Sequence, residues 1–343
     1  MEITTVGRDV AKQVFQGHGV DTRGQIVVRK QLRRKEVVEY FTKLPSCEIG
    51  MEAGSSSHYW ARRLSGLGHR VKLMAPQFVR PYVKTNKSDA RDAEAICEAV
   101  TRPTMRFVPI KTAEQQAILA LHRARQGFVK ARTAQANQLR SLRAAFGMVL
   151  PQGIHVLLRE VPAMVSDEEN GWLASVRDLF TRLLAHVKDL DRQVSELEHQ
   201  ILHWHQGKER SRKLEKVPGI GPLTASALVA TIGDATAFPH GRQLAAWLGL
   251  VPRQHSTGGK PRLHGISKRG DVSLRTLLIH GARAVLRFAA RHADPTTKWL
   301  QGLQARRNAN IAAVALANKQ ARIVWALWAH DREYQADYAG TSS

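Results

Sequence analysis

Along its first hundred residues the chain alternates two hydrophobic rhythms. Period-two runs over residues 3–10, 13–17 and 25–29 read as strands, with HGVDTRG supplying turn chemistry between the last two. An amphipathic helix is expected over 33–43, a buried strand over 47–52, a helix over 56–67 and a strand over 70–75. Ser88 stands where it can cap a helix over 89–100, and 106–109 adds an edge strand.

From Thr112 onward the period becomes helical. Residues 112–146 are rich in Ala, Gln, Leu and Arg. Residues 147–171, with Pro151, Gly153 and Pro162, read as a turn region. A second seam then runs Leu173, Val176, Phe180, Leu183, Val187, Leu190, Val194, Leu197, Ile201, Trp204, with spacings of three and four. That heptad pattern predicts a coiled coil or a long helical hairpin, with an oligomerisation arm slightly preferred. His203 and His205, flanking Trp204, read as its surface. The organisation expected is an α/β domain at 1–110, a helical arm at 111–206, a mainly α domain at 207–330 and a fraying tail at 331–343.

Charge narrows the partners. Fifty-two Lys and Arg against 29 Asp and Glu leave +23 on 343 residues. Such a chain binds polyanions with strong salt dependence. No run approaches the length of an apolar span and no signal-peptide layout opens the chain, so nucleic acid is expected rather than membrane. Two cysteines, Cys47 and Cys97, build neither a disulfide framework nor a thiolate zinc site, which fits a reducing cytoplasm.

In so basic a chain, acids placed where nucleic acid should bind need a reason. Three strands, helix, strand, helix, strand, helix is the order of an RNase H-like sheet. That fold brings the end of its first strand, the end of its fourth and its last helix to one point. Asp9 ends the first strand. Glu52 ends the fourth, on the face shared by Glu48 and Gly50. Asp89 and Asp92, three apart, project from one side of a helix near its start. Four carboxylates so gathered can hold two Mg²⁺ ions, which polarise a scissile phosphate and activate the attacking oxygen. Any one of them is also an ordinary surface residue or cap. Arg8, Lys84, Lys87 and Arg91 are the basic residues around them; Glu48 and Glu94 rank lower as ligands.

Two further segments could carry chemistry. KVPGIGPLTAS, residues 216–226, resembles the turn of a helix-hairpin-helix, in which Gly219 and Gly221 let backbone N–H groups approach a phosphate. The alternative is a glycine-bent turn that only packs. Ser256 lies in VPRQHSTGGK, read as a mobile cationic loop with Arg253, Lys260, Arg262, Lys268 and Arg269 nearby. A serine so placed can attack a phosphodiester once a base or metal takes its proton, although most such serines are plain loop residues. His255 is a poor base for it, since adjacent side chains seldom face each other.

In order, GRDVAK, MEAG, KTNKSDARDAEAI, the heptad seam, VPGIGPLTA, AAWLGLVPRQHSTGGK and ISKRGD resemble the DEDD transposases of insertion-sequence family 110, leaning to its 1111 subgroup. The likeness runs from about residue 6 to about residue 290. It implies a RuvC-like catalytic domain, a coiled-coil arm and a C-terminal transposase domain. It places the acidic tetrad at Asp9, Glu52, Asp89 and Asp92, binding Mg²⁺ (with Mn²⁺ able to substitute), and the nucleophile at Ser256, which forms a covalent serine–DNA link. Position 257 is Thr, so only one serine fits that motif. The acids and the serine would form one composite site, whether from one protomer or two. The implied partners are donor and target DNA, a structured noncoding bridge RNA that chooses the sequence, and further copies of the chain in a dimer or tetramer. The pattern departs at Arg8, where a small apolar residue is commoner. The rival readings are an RNA-independent invertase of the same architecture, a Holliday-junction endonuclease using water, and a non-enzymatic architectural DNA-binding protein.

Overall fold

A computed structural model describes residues 3–10, 14–84, 88–149, 151–292 and 294–336, with the backbone alone at 8–10. It divides into two compact units, residues 1–116 and 117–343.

The first unit is built on a six-stranded sheet. Its strands are β1 (Thr5–Val10), β2 (Val14–Val20), β3 (Ile26–Arg33), β4 (Glu48–Glu52), β5 (Arg70–Met74) and β6 (Phe107–Val108), in the order β3-β2-β1-β4-β5-β6. β1, β4 and β5 are parallel; β2, β3 and β6 are antiparallel to their neighbours. β2 and β3 outrun the expected strands. The turn between them shortens to residues 21–25, where the Asp21 carboxylate accepts from the N–H groups of Arg23 and Gln25 at 2.9 Å each.

Alternation along β4 sorts the layers. Ile49 and Met51 are buried on one face with Phe15, Phe41, Trp60 and Leu64, under α1 (Val37–Thr42) and α2 (Ser57–Ser65). After β5 comes a short helix not expected from the pattern, α3 (Pro76–Val79), started by a proline at its first position. Gly50 lies on the other face, beneath α4 (Asp89–Val100). The bounds of α4 are the expected ones, and the Ser88 hydroxyl caps it by accepting from the Arg91 N–H.

The second unit takes most of its length from two long helices. α5 (Ala113–Ala144) begins at the unit boundary, and α7 (Ala174–Gln206) follows α6 (Ile154–Ser166). The turn region expected over 147–171 therefore contains a thirteen-residue helix with Pro162 inside it. A proline costs a helix one hydrogen bond, and here the apolar face compensates by burying Leu157 and Val161 against Ala136, Leu139, Phe180 and Val187.

That packing shows the hairpin, one of the two readings of the heptad seam. The α7 stripe is covered from within the chain, by α5 and α6. Arg125 pairs with Glu198 at 2.5 Å and Arg132 pairs with Asp191, so α5 and α7 run antiparallel as a hairpin. The seam also rotates slightly: Leu184 is buried where Leu183 was expected, and Leu173 is 72 % exposed. His205 is not surface. It is buried at the end of α7, with Nδ1 2.7 Å from Ser211 Oγ and Nε2 2.8 Å from Glu215 Oε2. Ser211 is fully buried, so this Ser–His–Glu line pins a helix junction and meets no substrate.

Beyond the junction, α8 (Glu209–Glu215), α9 (Pro222–Ile232), α10 (Gly241–Trp247), α11 (Val272–Phe288), α12 (Pro295–Gln304) and α13 (Ala309–Ala329) enclose a core that includes Leu228, Leu244, Leu278 and Val324. A hairpin of β7 (Pro252–Thr257) and β8 (Lys260–Ile266) projects between α10 and α11 in sequence. The start of the expected tail is tied down: Asp331 pairs with Lys213 at 3.0 Å and Glu333 with Lys216 at 2.9 Å. Residues 337–343 lie outside the described residues.

One partly buried pair makes stability pH-dependent. His122 of α5 lies with Nε2 3.1 Å from Ser226 Oγ on α9, and that hydroxyl donates to the Pro222 carbonyl at 2.7 Å. With the serine hydrogen so used, the imidazole N–H must be the donor. Burial, reinforced by Arg125, lowers the His122 pKa to about 4. The unfolded chain takes up this proton near pH 6.5 and the folded chain only near 4. This contribution is therefore complete above pH 6.5 and is lost as pH falls towards 4, by on the order of 3 kcal/mol. Denaturant midpoints across that interval should fall more steeply for the native chain than for His122→Leu. Parallel curves would remove His122 as the cause.

Candidate active site

Two glycines decide how the acids of the first unit are placed. A Cβ at Gly7 would lie 2.2 Å from the Ala93 carbonyl oxygen and 2.3 Å from the Cys97 nitrogen; one at Gly50 would lie 2.8 Å from Val100 Cβ. α4 thus rests directly on β1 and β4 at positions where any side chain would hold it off. Cys97 lies near Thr5, with Sγ 3.9 Å from its carbonyl oxygen, and Ala93 lies near Gly7. The helix therefore runs antiparallel to β1, and its first turn reaches the end where β1 and β4 finish.

That end carries the acids. The parallel register pairs Gly7 with Gly50 and Arg8 with Met51, leaving Asp9 and Glu52 next along their strands. Asp9 stands opposite Gln16 of β2; its side chain, like that of Arg8, lies outside the described residues. Glu52 is half-buried. Asp89 is exposed and Asp92 half-buried in the first turn of α4, and neither carries an ion pair among the described residues. The two lower-ranked acids do: Glu48 meets Lys72 at 2.7 Å and Glu94 meets Lys84 at 3.4 Å. Among the described side chains, no three acids, histidines or cysteines stand close enough to hold an ion.

Of the basic residues expected nearby, Lys84 is engaged by α4 itself, with Glu94 and with Glu98 at 3.6 Å, although it stays exposed. Arg91 is exposed one residue before Asp92, and Lys87 lies outside the described residues.

Gly7→Ala tests this cradle. A methyl group that close to backbone forces α4 away from the sheet, which should cost about 1–3 kcal/mol and displace Asp89 and Asp92 together. A lower melting temperature with DNA cleavage lost is the expected result. Unchanged cleavage at native stability would show that the helix tolerates the shift.

In the second unit, Ser256 is held differently from the mobile loop expected. It lies on β7 opposite Pro261, and Gly258 and Gly259, with φ of +57° and +73°, form the two-residue turn at the tip. Two successive positive φ values match the right-handed twist of a hairpin, which is why two glycines stand there. Every residue of β7, Ser256 included, is exposed. Its face also carries Gln254, whose Nε2 donates to Ser256 Oγ at 2.7 Å, and Leu263 opposite Gln254. His255 lies on the other face, opposite Arg262, with its ring 5.4 Å from that of His264. Strand alternation thus separates His255 from the Ser256 hydroxyl. Arg253, Lys260, Arg262, Lys268 and Arg269 are all exposed on the hairpin and the segment after it.

The base of this hairpin is held by close packing and side-chain hydrogen bonds that the sequence pattern did not reveal. Gly249 (φ +73°) and Gly270 (φ +73°) pack against opposite strands of the neck: a Cβ at Gly270 would lie 1.9 Å from the Trp247 carbonyl, and one at Gly249 2.2 Å from that of Arg269. The buried Arg275 of α11 donates to the carbonyls of Leu248 at 3.1 Å and Arg269 at 2.8 Å, and Asn318 of α13 donates to that of Leu250 at 3.2 Å. The Asp of the KRGD run caps α11, accepting from the Leu274 N–H at 2.8 Å. Glycine spacing alone hinted at the neck; nothing in sequence pointed to Arg275.

The PGIGP turn joins α8 to α9. Gly219 (φ +83°) packs inward: its added Cβ would meet Gln320 Nε2 at 2.5 Å and the Gly281 carbonyl at 2.8 Å, and Gln320 donates to the Pro218 carbonyl at 2.8 Å. Helix packing accounts for this glycine. Gly221 is exposed at the start of α9, with open space where a Cβ would stand.

Comparison with known proteins fits both halves of this arrangement. A family model described as "Transposase" matches residues 6–145, and one described as "Transposase IS116/IS110/IS902 family" matches residues 211–296. A "Probable family 20 transposase" of Pseudomonas aeruginosa is 52 % identical over 98 % of this chain and 99 % of its own length. The transposase for insertion sequence element IS1111A of Coxiella burnetii is 40 % identical over 97 % of this chain and 92 % of its own. That for IS1328 of Yersinia enterocolitica is 41 % identical over 94 % and 96 %.

Proposed function

The chain belongs to the IS116/IS110/IS902 family of transposases, and from that premise we propose that it cuts and rejoins DNA through Ser256, guided by a structured noncoding RNA. It is an insertion-sequence transposase, and DNA is its substrate. Within the family, the likeness to the IS1111A protein supports the 1111 subgroup.

Ser256 carries the reading: an exposed hydroxyl on a hairpin anchored at its neck, one face cationic, the other free for a DNA strand. Its Oγ attacks the phosphorus of a phosphodiester, the P–O bond to the deoxyribose oxygen breaks, that oxygen leaves as a hydroxyl carrying the proton the serine gives up, and the new phosphoserine ester keeps the strand. A second deoxyribose hydroxyl then displaces serine and restores it. Gln254 orients Oγ by donating to it and, as an amide, takes no proton. The six-stranded order β3-β2-β1-β4-β5-β6 with α4 across β1 and β4 supports an RNase H-like (RuvC-like) domain.

Asp9, Glu52, Asp89 and Asp92 would hold a divalent cation. An all-carboxylate donor set suits Mg²⁺ or Mn²⁺ rather than a soft metal, and Asp89 and Asp92 carry no ion pair among the described residues while Glu48 and Glu94 are paired. Such an ion supplies Lewis-acid polarisation of the phosphate.

The test is to trap the ester. Protein with its copurified RNA and Mg²⁺ is incubated with end-labelled donor DNA, denatured, and digested for peptide mapping. A labelled protein band whose nucleotide maps to the Ser256 peptide is expected. Metal-dependent nicking without an adduct would instead make water the nucleophile. Prior RNase treatment should abolish recombination; survival of recombination would leave an RNA-independent enzyme.

A further inference from the structure

Beside the hairpin, the second unit opens a groove of about 2060 Å³ between the base of β7–β8 and helices α10, α12 and α13. Small-molecule pockets rarely exceed about 1,000 Å³, so this groove has room for a polymer. Its lining is cationic. Arg242, Arg307 and Arg322 are exposed along it, and Lys319 lies with Nζ 4.8 Å from the centre of the Trp299 ring. Glu333 is the one acid among the described lining residues, and Lys216 neutralises it. Apolar surface is interleaved: Trp299 is 37 % exposed and Ile311 is 47 % exposed.

We propose that this groove binds single-stranded DNA, with a base against Trp299 and phosphates on Arg242, Arg307 and Arg322. Aromatic faces set among cations suit unstacked bases and a single backbone. A duplex hides its base faces and could use only the charges. Position adds the rest. Leu263 of β8 forms part of the groove wall and shares a hairpin face with Ser256, which stands two residues nearer the tip, about 7 Å away. A strand leaving Ser256 along that face enters the groove. The role as a seat for the serine-linked strand rests on the nucleophile assignment; binding by the groove does not.

The measurement is fluorescence anisotropy of labelled oligo-dT, about fifteen nucleotides long, with the full chain at several salt concentrations. Trp299→Ala should weaken binding roughly tenfold, and Trp299→Phe should restore most of it. Arg242→Gln with Arg307→Gln should weaken binding and flatten the salt dependence, each lost phosphate contact lowering the log–log slope by about 0.7. The proposal is overturned if oligo-dT binds these groove variants normally, or if Trp299→Ala costs a duplex of the same length as much. It is also overturned if oligo-rU binds more tightly than oligo-dT with the same losses, which would make the groove an RNA site. Should no protein–DNA adduct form while Trp299→Ala still loses oligo-dT, the groove stands and the serine assignment falls. If an adduct forms while Trp299→Ala binds normally, the serine assignment stands and the groove falls.

Discussion

Ser256→Ala should abolish strand cleavage and rejoining while leaving DNA affinity and the melting temperature unchanged. Removing a nucleophile that acts as one member of a catalytic set lowers turnover on the order of 10⁶-fold. The structure explains why nothing else should change. Ser256 is exposed, and its side-chain hydrogen bond from Gln254 is equally exposed and worth little to stability. The hairpin is held at its neck by Arg275, Asn318 and two glycines, none of which touches the tip. Ser256→Cys keeps a nucleophilic atom in place and should give a slow, detectable adduct. Cleavage at the native rate by Ser256→Ala would leave the nuclease reading, with water as the nucleophile.

The second large effect is expected from Asp89→Asn with Asp92→Asn. Each change keeps the side-chain volume and removes a negative charge, so the loss should be in catalysis, by roughly 10³-fold or more. Stability should hold or rise slightly. Neither acid has an ion pair among the described residues, and the Ser88 cap of α4 is untouched. The control is Glu94→Gln, which removes the carboxylate facing Lys84 and should leave cleavage near native. Titrating Mg²⁺ or Mn²⁺ against cleavage should show the double variant needing far more metal. If Glu94→Gln and the double variant lose activity equally, general electrostatics rather than metal holding would be the cause.

Much of the first unit was legible in its residues. Every expected strand is present, and α4 begins and ends where its cap and apolar period placed it. The acids could be set on strand ends because a strand's face alternates by residue and a helix's by turn. That α4 would rest on Gly7 and Gly50, each two residues before an acid, was not read from the sequence and comes from the structure. In the second unit the reading was weaker. The α7 stripe was legible, its partner was not: α5 within the chain and another protomer would bury the same residues. α6 was hidden by its glycine and proline neighbours, since local breakers do not reveal an apolar face supplied from elsewhere.

Local pattern by itself determined the order of the strands and of the main helices of the first unit, the faces they bury and the residue types able to bind nucleic acid and metal, because those follow from periods of 2 and 3.6 and from charge. Tertiary structure alone decided four things. It turned the Ser256 segment from a loop into an anchored hairpin, put His255 on its far face, assigned Gly219 to packing, and gathered Arg242, Trp299 and Lys319 around one groove. The anchoring of the hairpin, the packing of Gly219 and the groove depend on residues distant in sequence meeting in space, while the face of His255 follows once the segment is a strand.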